Sequence, residues 1–146
     1  MMQAIRLKTE HLFEPVGVDF TAPWLFWNCS GGREQTAYQI VAHDDGGALL
    51  WDSGRVAGGS MRARWGGAPV APRTRALWKV RLWDEQGACS DWAESLFETG
   101  IGRWQAQWIA GNYRVNRRRR YPVDCFRKTF VADCVQKARL YITACG

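Results

Sequence analysis

The sequence predicts an all-β chain whose first hundred residues form an antiparallel sandwich. Three observations carry that expectation. First, the run Arg75-Ala76-Leu77-Trp78-Lys79-Val80-Arg81-Leu82-Trp83-Asp84 puts Ala76, Trp78, Val80 and Leu82 on one face. Leu77, Lys79, Arg81 and Trp83 fall on the other, and such period-two alternation with a charged second face marks a half-buried strand. Second, short alternating runs recur along the chain, separated by turn sequences such as Asp44-Asp45-Gly46-Gly47 and Asp84-Glu85-Gln86-Gly87. Third, no helical period of useful length interrupts them.

Taken in order, Ile5 to Leu7 is the first strand, and Thr9 to Pro23 is irregular, punctuated by Pro15, Gly17 and Pro23. Trp24 to Asn28 is the second strand, with Leu25 and Trp27 in phase, and Cys29 to Arg33 is a turn. Thr36 to His43 is the third, with Tyr38, Ile40 and Ala42 sharing a face. The Asp-Gly turn after it tolerates positive φ and returns the chain as a fourth strand, Leu49 to Arg55. Met61 to Trp65 is the fifth, bracketed by paired glycines; Arg75 to Asp84 is the sixth and Ala93 to Glu98 the seventh. Seven short strands over about a hundred residues are the pattern of an immunoglobulin-like or fibronectin type III-like sandwich. Its expected core is Trp27, Tyr38, Ile40, Trp78, Val80 and Leu82.

The texture changes after Gly100. Residues 101–120 read as an aromatic and basic linker, with Trp104 and Trp108 early and Arg117, Arg118, Arg119 and Arg120 in a run. Residues 121–146 hold two more strand patterns, Cys125 to Val131 and Ala138 to Ala144. Two strands are too few to bury a core alone, so they either open a second domain or lean on the first. Charge follows the same division. Residues 1–100 carry 10 basic and 12 acidic side chains, whereas residues 101–146 carry 10 basic and 2 acidic, a hint of a domain boundary or of an anionic partner.

Composition narrows the function classes. No apolar run is long enough to span a bilayer, and the N-terminus has no signal-peptide core, so the expectation is a cytoplasmic protein without a membrane partner. The five cysteines are scattered without a Cys-x-x-Cys pair, which favours reduced thiols over a zinc site or a disulfide scaffold. His11 and His43 are isolated, and the paired glycines lack the strand–loop–helix context of a phosphate loop. No cofactor and no metal are expected.

Several segments in order resemble the N-terminal part of bacterial α-L-rhamnosidases: Gln35-Thr36-Ala37-Tyr38-Gln39-Ile40, Trp51-Asp52-Ser53-Gly54, Trp78-Lys79-Val80-Arg81-Leu82-Trp83-Asp84 and Phe97-Glu98-Thr99-Gly100. So do Trp104-Gln105-Ala106-Gln107-Trp108-Ile109, Phe126-Arg127-Lys128 and Ala138-Arg139-Leu140-Tyr141-Ile142-Thr143. The resemblance implies a fibronectin type III-like domain followed by the opening strands of a second, incomplete β-sandwich. It also implies a non-catalytic accessory fragment whose partner is the downstream catalytic domain of a glycoside hydrolase. No catalytic residue transfers, because the catalytic barrel of that family lies far downstream. The chain departs from the fibronectin pattern in having Ala76 two residues after Thr74, where a tyrosine corner would stand.

Among the tryptophans, Trp83, Trp92, Trp104 and Trp108 are the candidates for stacking on a sugar ring, against the alternative that they fill a core or an interface. Ser90-Asp91-Trp92-Ala93 resembles half of the Trp-Ser-x-Trp-Ser element of cytokine-receptor domains, which places Trp92 over Arg81 in a structural stack. Arg117, Arg118, Arg119 and Arg120 are candidate anion ligands; no aromatic platform is evident beside them, and nucleic acid is not the expected partner. The uncovered apolar faces of residues 121–146 point to a homo-oligomer as an alternative partnership.

Overall fold

The computed structural model describes residues 1–114, 116, 118–121, 123–136 and 138–144. It divides into two units, Met1–Gly102 and Arg103–Gly146. The first contains nine strands: β1 (Gln3–Thr9), β2 (Val16–Val18), β3 (Trp24–Ser30), β4 (Gln35–Asp44), β5 (Leu49–Asp52), β6 (Val56–Ala57), β7 (Arg62–Arg64), β8 (Arg75–Asp84) and β9 (Ala93–Thr99). They form an all-β immunoglobulin-like sandwich of two sheets, one ordered β1-β3-β7 and the other β2-β9-β8-β4-β5 with β6 also on β4. Every pairing is antiparallel except β2 with β9.

The seven strand patterns of the sequence are all present, and β8 has the bounds its alternation implied. Two differences have physical causes. The stretch expected to be irregular contains β2, three residues that pair in parallel with β9 through Val16↔Glu98 and Val18↔Thr99. The fourth pattern, Leu49 to Arg55, forms a strand only as far as Asp52, because Ser53 and Gly54 (φ +59) turn the chain out of the ladder, and β6 follows as a separate short strand. Ser53 nevertheless keeps the sheet satisfied: its Oγ accepts the Ile40 N–H at 2.8 Å, and its own N–H donates to the Ile40 carbonyl. Ser90 repeats this device one strand over, accepting the Leu82 N–H at 3.0 Å and donating its backbone N–H to the Leu82 carbonyl.

The two long hairpins turn alike. Asp44 Oδ1 accepts the N–H groups of Gly46 and Ala48, and Asp84 Oδ1 accepts those of Gln86 and Ala88. Each loop closes through a glycine in the left-handed region, Gly47 (φ +83) or Gly87 (φ +79), which a residue without Cβ adopts at no steric cost.

Between the sheets lie Leu25, Trp27, Ile40, Ala42, Ala76, Trp78, Val80, Leu82 and Phe97, all buried. Tyr38, expected in the core, is only half-buried; its ring lies 5.1 Å from Trp27 and partial burial raises its phenol pKa. Trp65 joins the core instead, between Trp51 at 5.3 Å and Phe97 at 5.7 Å. In β1 the inward phase changes from Ala4 to Leu7, and a bulge at Ile5–Lys8 with Arg6 at φ 52 supplies the extra residue. Where a tyrosine corner would fasten the sandwich, Thr99 does so: Oγ1 accepts the Thr74 N–H at 2.9 Å and donates to the Ala71 carbonyl.

In the second unit no described residue belongs to a strand. The strands expected at Cys125–Val131 and Ala138–Ala144 are therefore not formed among the described residues, although the alternation is in the sequence. A strand needs a partner for its N–H and C=O groups, and two short segments supply too little apolar cover to hold a ladder by themselves.

Candidate functional site

The best-built surface of the first unit is the outer face of the larger sheet. Lys79, Arg81 and Trp83 are alternate residues of β8 and therefore share that face. Trp92 arrives from the segment before β9, and Arg55 from the link between β5 and β6. Together they make a ladder. The Arg55 and Arg81 guanidinium carbons lie 4.8 and 5.0 Å from the Trp83 ring centre. Arg81 and the Lys79 ammonium lie 4.7 and 4.9 Å from that of Trp92. Indole faces attract cations, and each such contact contributes about 0.5–1 kcal/mol at a partly exposed site. The expected stack of Trp92 on Arg81 is thus one rung of a longer series.

A hydrogen-bond chain fixes the central rung. Arg81 donates from Nε and Nη2 to Gln39 Oε1 at 3.1 and 2.8 Å, and Gln39 Nε2 donates to Asp52 Oδ1 at 2.8 Å. Asp52 also accepts the Gly54 N–H at 2.8 Å. Chiefly the Gln39 bond, then the Gly54 bond, hold its carboxyl below the ordinary aspartate pKa, with the charges of Arg81 and His43 adding to them. The motif Trp51-Asp52-Ser53-Gly54 therefore works as a bracket: Ser53 holds β4 and Asp52 anchors the ladder.

Inside the sandwich the buried Gln35 is a second fastener. Its Oε1 accepts from Trp27 Nε1 at 3.0 Å and from Cys29 Sγ at 3.2 Å, and its Nε2 donates to the carbonyls of Gly58 and Ser60. Nothing in local sequence distinguishes this glutamine; only the fold shows that it joins β3, β4 and the loop before β7.

The second unit contains the other candidates. Trp104 and Trp108 are 46% and 70% exposed and line a groove of about 700 Å³ with Ile109, Phe126, Tyr141 and Ile142. Nearby in sequence, Tyr113 and Tyr121 stack with ring centres 4.8 Å apart and planes 17° from parallel. Tyr113 Oη donates to Asp124 Oδ2 at 3.0 Å, which raises the phenol pKa, and Tyr121 Oη accepts the Asn116 N–H at 2.8 Å. Arg118, Arg119 and Arg120 lie exposed between the two tyrosines in sequence, and the two rings stack on each other. The rings are eight residues apart, a separation with no local signature. Arg117 lies outside the described residues.

Among the described residues there is no group of three or more His, Cys, Asp and Glu arranged to hold a metal ion, and no helix long and apolar enough to cross a membrane. The acidic side chains of the hairpins hold turns: besides Asp44 and Asp84, Glu85 Oε2 accepts the N–H groups of Arg33 and Glu34.

Comparison with known proteins places this architecture. The family described as "Rha78A-like, N-terminal immunoglobulin domain" matches residues 4–103. An α-L-rhamnosidase of Streptomyces avermitilis is 37% identical over 75% of this chain and 12% of its own length. One from Formosa agariphila is 29% identical over 94% of this chain and 17% of its own length. The crystal structure of the Streptomyces avermitilis enzyme complexed with L-rhamnose superposes with a TM-score of 0.70 at 34% identity, covering 75% of this chain and 12% of that one. The chain thus spans roughly an eighth to a sixth of the length of these relatives.

Proposed function

The chain belongs to the Rha78A-like N-terminal immunoglobulin domain family, and from that membership we propose that it is the non-catalytic accessory part of an α-L-rhamnosidase-like glycoside hydrolase. Its work is to pack against the catalytic domain and set that domain's orientation. The observation that carries this reading is the match itself: the aligned relatives are α-L-rhamnosidases, and what aligns is a small N-terminal share of each. The construction of the domain supports a structural task. The two candidate tryptophans of the sandwich, Trp83 and Trp92, each have two cations within about 5 Å of their ring centres. A sugar stacking there would have to displace a guanidinium or an ammonium group, so the ladder serves rigidity better than carbohydrate capture.

The test is an exchange. The matching N-terminal part of the Streptomyces avermitilis α-L-rhamnosidase is deleted, or replaced by this chain. The expected results are a lower thermal midpoint and slower aryl-rhamnoside turnover on deletion, recovery of both in the chimera, and no rhamnose release by this chain alone. Turnover by the isolated chain, or a deletion that changes neither stability nor rate, would overturn the reading. Binding of a neutral rhamnoside, lost on replacing Trp104 and Trp108, would favour a carbohydrate-binding module instead.

A further inference from the structure

We propose that Arg114, Arg118, Arg119 and Arg120, held by the contacts of Tyr113, Asn116, Tyr121 and Asp124, form a binding site for an acidic polysaccharide and take its carboxylate or sulfate groups. The proposal rests on the accessory reading above, which puts the chain beside an enzyme that acts on glycans.

The site is built rather than merely charged. The stacked Tyr113 and Tyr121 close its base, and the Tyr113–Asp124 and Asn116–Tyr121 hydrogen bonds pin it on either side. Asn116 then organises the tip: its Oδ1 accepts the Arg118 N–H at 3.0 Å, and its backbone carbonyl accepts the Arg119 N–H at 2.9 Å. These backbone donors are satisfied within the site. The groups left to face an exposed ligand are the guanidinium forks of Arg114, Arg118, Arg119 and Arg120.

Charge gives the sign of the ligand. Residues 103–146 contain 10 basic and 2 acidic side chains, and one of the two, Asp124, accepts from Tyr113. No salt bridge among the described residues reaches Arg118, Arg119 or Arg120. A cluster of like charges that its own unit cannot neutralise recruits anions, and arginine pairs in a fork with planar carboxylates and with sulfates. Single-stranded nucleic acid is the less suitable polyanion. It draws much of its affinity from bases stacked on aromatic faces, and no aromatic ring among the described residues is stacked with Arg118, Arg119 or Arg120, while Tyr113 and Tyr121 turn one face each to the other.

Affinity electrophoresis of the 146-residue chain tests this in gels containing polygalacturonate, heparin or neutral dextran, with a single-stranded oligodeoxynucleotide gel shift alongside. Retardation by polygalacturonate or heparin, and none by dextran, is expected. The triple variant Arg118→Ala, Arg119→Ala, Arg120→Ala should bind about tenfold or more weakly, with a salt dependence shallower by about 2 to 3 in logarithmic slope. The control Arg127→Ala, Lys128→Ala removes charge elsewhere in the same unit and should bind almost as the parent does. No retardation by either acidic glycan, equal losses in the two variants, or tighter binding of the oligonucleotide than of both glycans would each overturn the site. The measurement uses the chain alone, so failure of the accessory reading in the chimera would leave its result unaffected.

Discussion

The two units of the molecule are both rich in aromatic and basic side chains, and they use them in opposite ways. In residues 1–102 every tryptophan is buried or half-buried: Trp27, Trp65 and Trp78 lie in the core, and Trp83 and Trp92 lie among Arg55, Lys79 and Arg81. In residues 103–144, Trp104, Trp108, Phe126 and Phe130 are exposed, and Arg118, Arg119 and Arg120 lie open. Residue type does not account for the difference, because Arg81 and Arg119 have the same chemistry. What differs is the availability of a strand partner. β8 pairs on both sides, with β4 and β9, and that fixes which faces meet. The C-terminal segments have comparable alternation but no ladder among the described residues, so their apolar positions are not gathered into a core.

The largest expected effect breaks the comparison at its strongest point. Trp78 is 1% exposed, and Trp78→Ala should destabilise the first unit by about 3–5 kcal/mol, the cost of a large core truncation. Phe130→Ala, at a ring 82% exposed, should stay within about 0.5 kcal/mol. Denaturant melts followed by tryptophan fluorescence and by circular dichroism measure both. Comparable losses in the two variants would mean that the second unit has a core of its own.

A smaller effect sharpens the comparison between the two sets of arginines. Arg81→Ala removes two ring contacts and two hydrogen bonds to Gln39, and should cost about 1–2 kcal/mol. Arg81→Lys keeps the charge but not the fork and should fall between. Arg119→Ala should leave stability within about 0.5 kcal/mol. If Arg81→Ala melted with the parent protein, the ladder would be an ornament of the surface and not part of what holds β8 to its neighbours.

Legibility in the sequence followed the range of each interaction. The alternation of Arg75 to Asp84 and the Asp-x-x-Gly turns are local, and both were readable residue by residue. The rung between Trp92 and Arg81 was readable too, because a known short element suggested it. The remaining rungs were not: Arg55 lies 28 residues before Trp83 in the chain, and only the β4–β5–β6 path brings it there. β2 was missed because three residues pairing in parallel with a distant strand have no periodicity to detect. The β1 bulge escaped because its cause is the need to bury both Ala4 and Leu7, a demand of the opposing sheet. At the candidate sites, the four arginines were visible as a run, whereas the tyrosine pair and the Gln39–Asp52 link depend on side chains that meet only after folding.

The smallest effect tests the ladder through pH. Asp52 has its pKa lowered first by the Gln39 bond and then by the Gly54 N–H. A carboxyl depressed in the folded state adds stability that is fully present above the unfolded aspartate value. That contribution fades as pH falls through the folded value, which lies lower. Asp52 is largely solvent-exposed, so screening limits its contribution to no more than about 0.5 kcal/mol. Glu85 is also depressed, first by its own backbone N–H and then by those of Arg33 and Glu34, and will give the parent a similar acid dependence of its own. The informative quantity is therefore a difference. Asp52→Asn retains an oxygen that can accept from Gln39 but cannot ionise, while Glu85 titrates equally in both proteins. Urea midpoints measured at pH 6 and pH 3 should show the parent ahead of Asp52→Asn at the higher pH, with the gap narrowing towards the lower. A gap that stays constant between the two would place the charge of Asp52 outside the ladder's energetics and leave Gln39 as a neutral prop beneath Arg81.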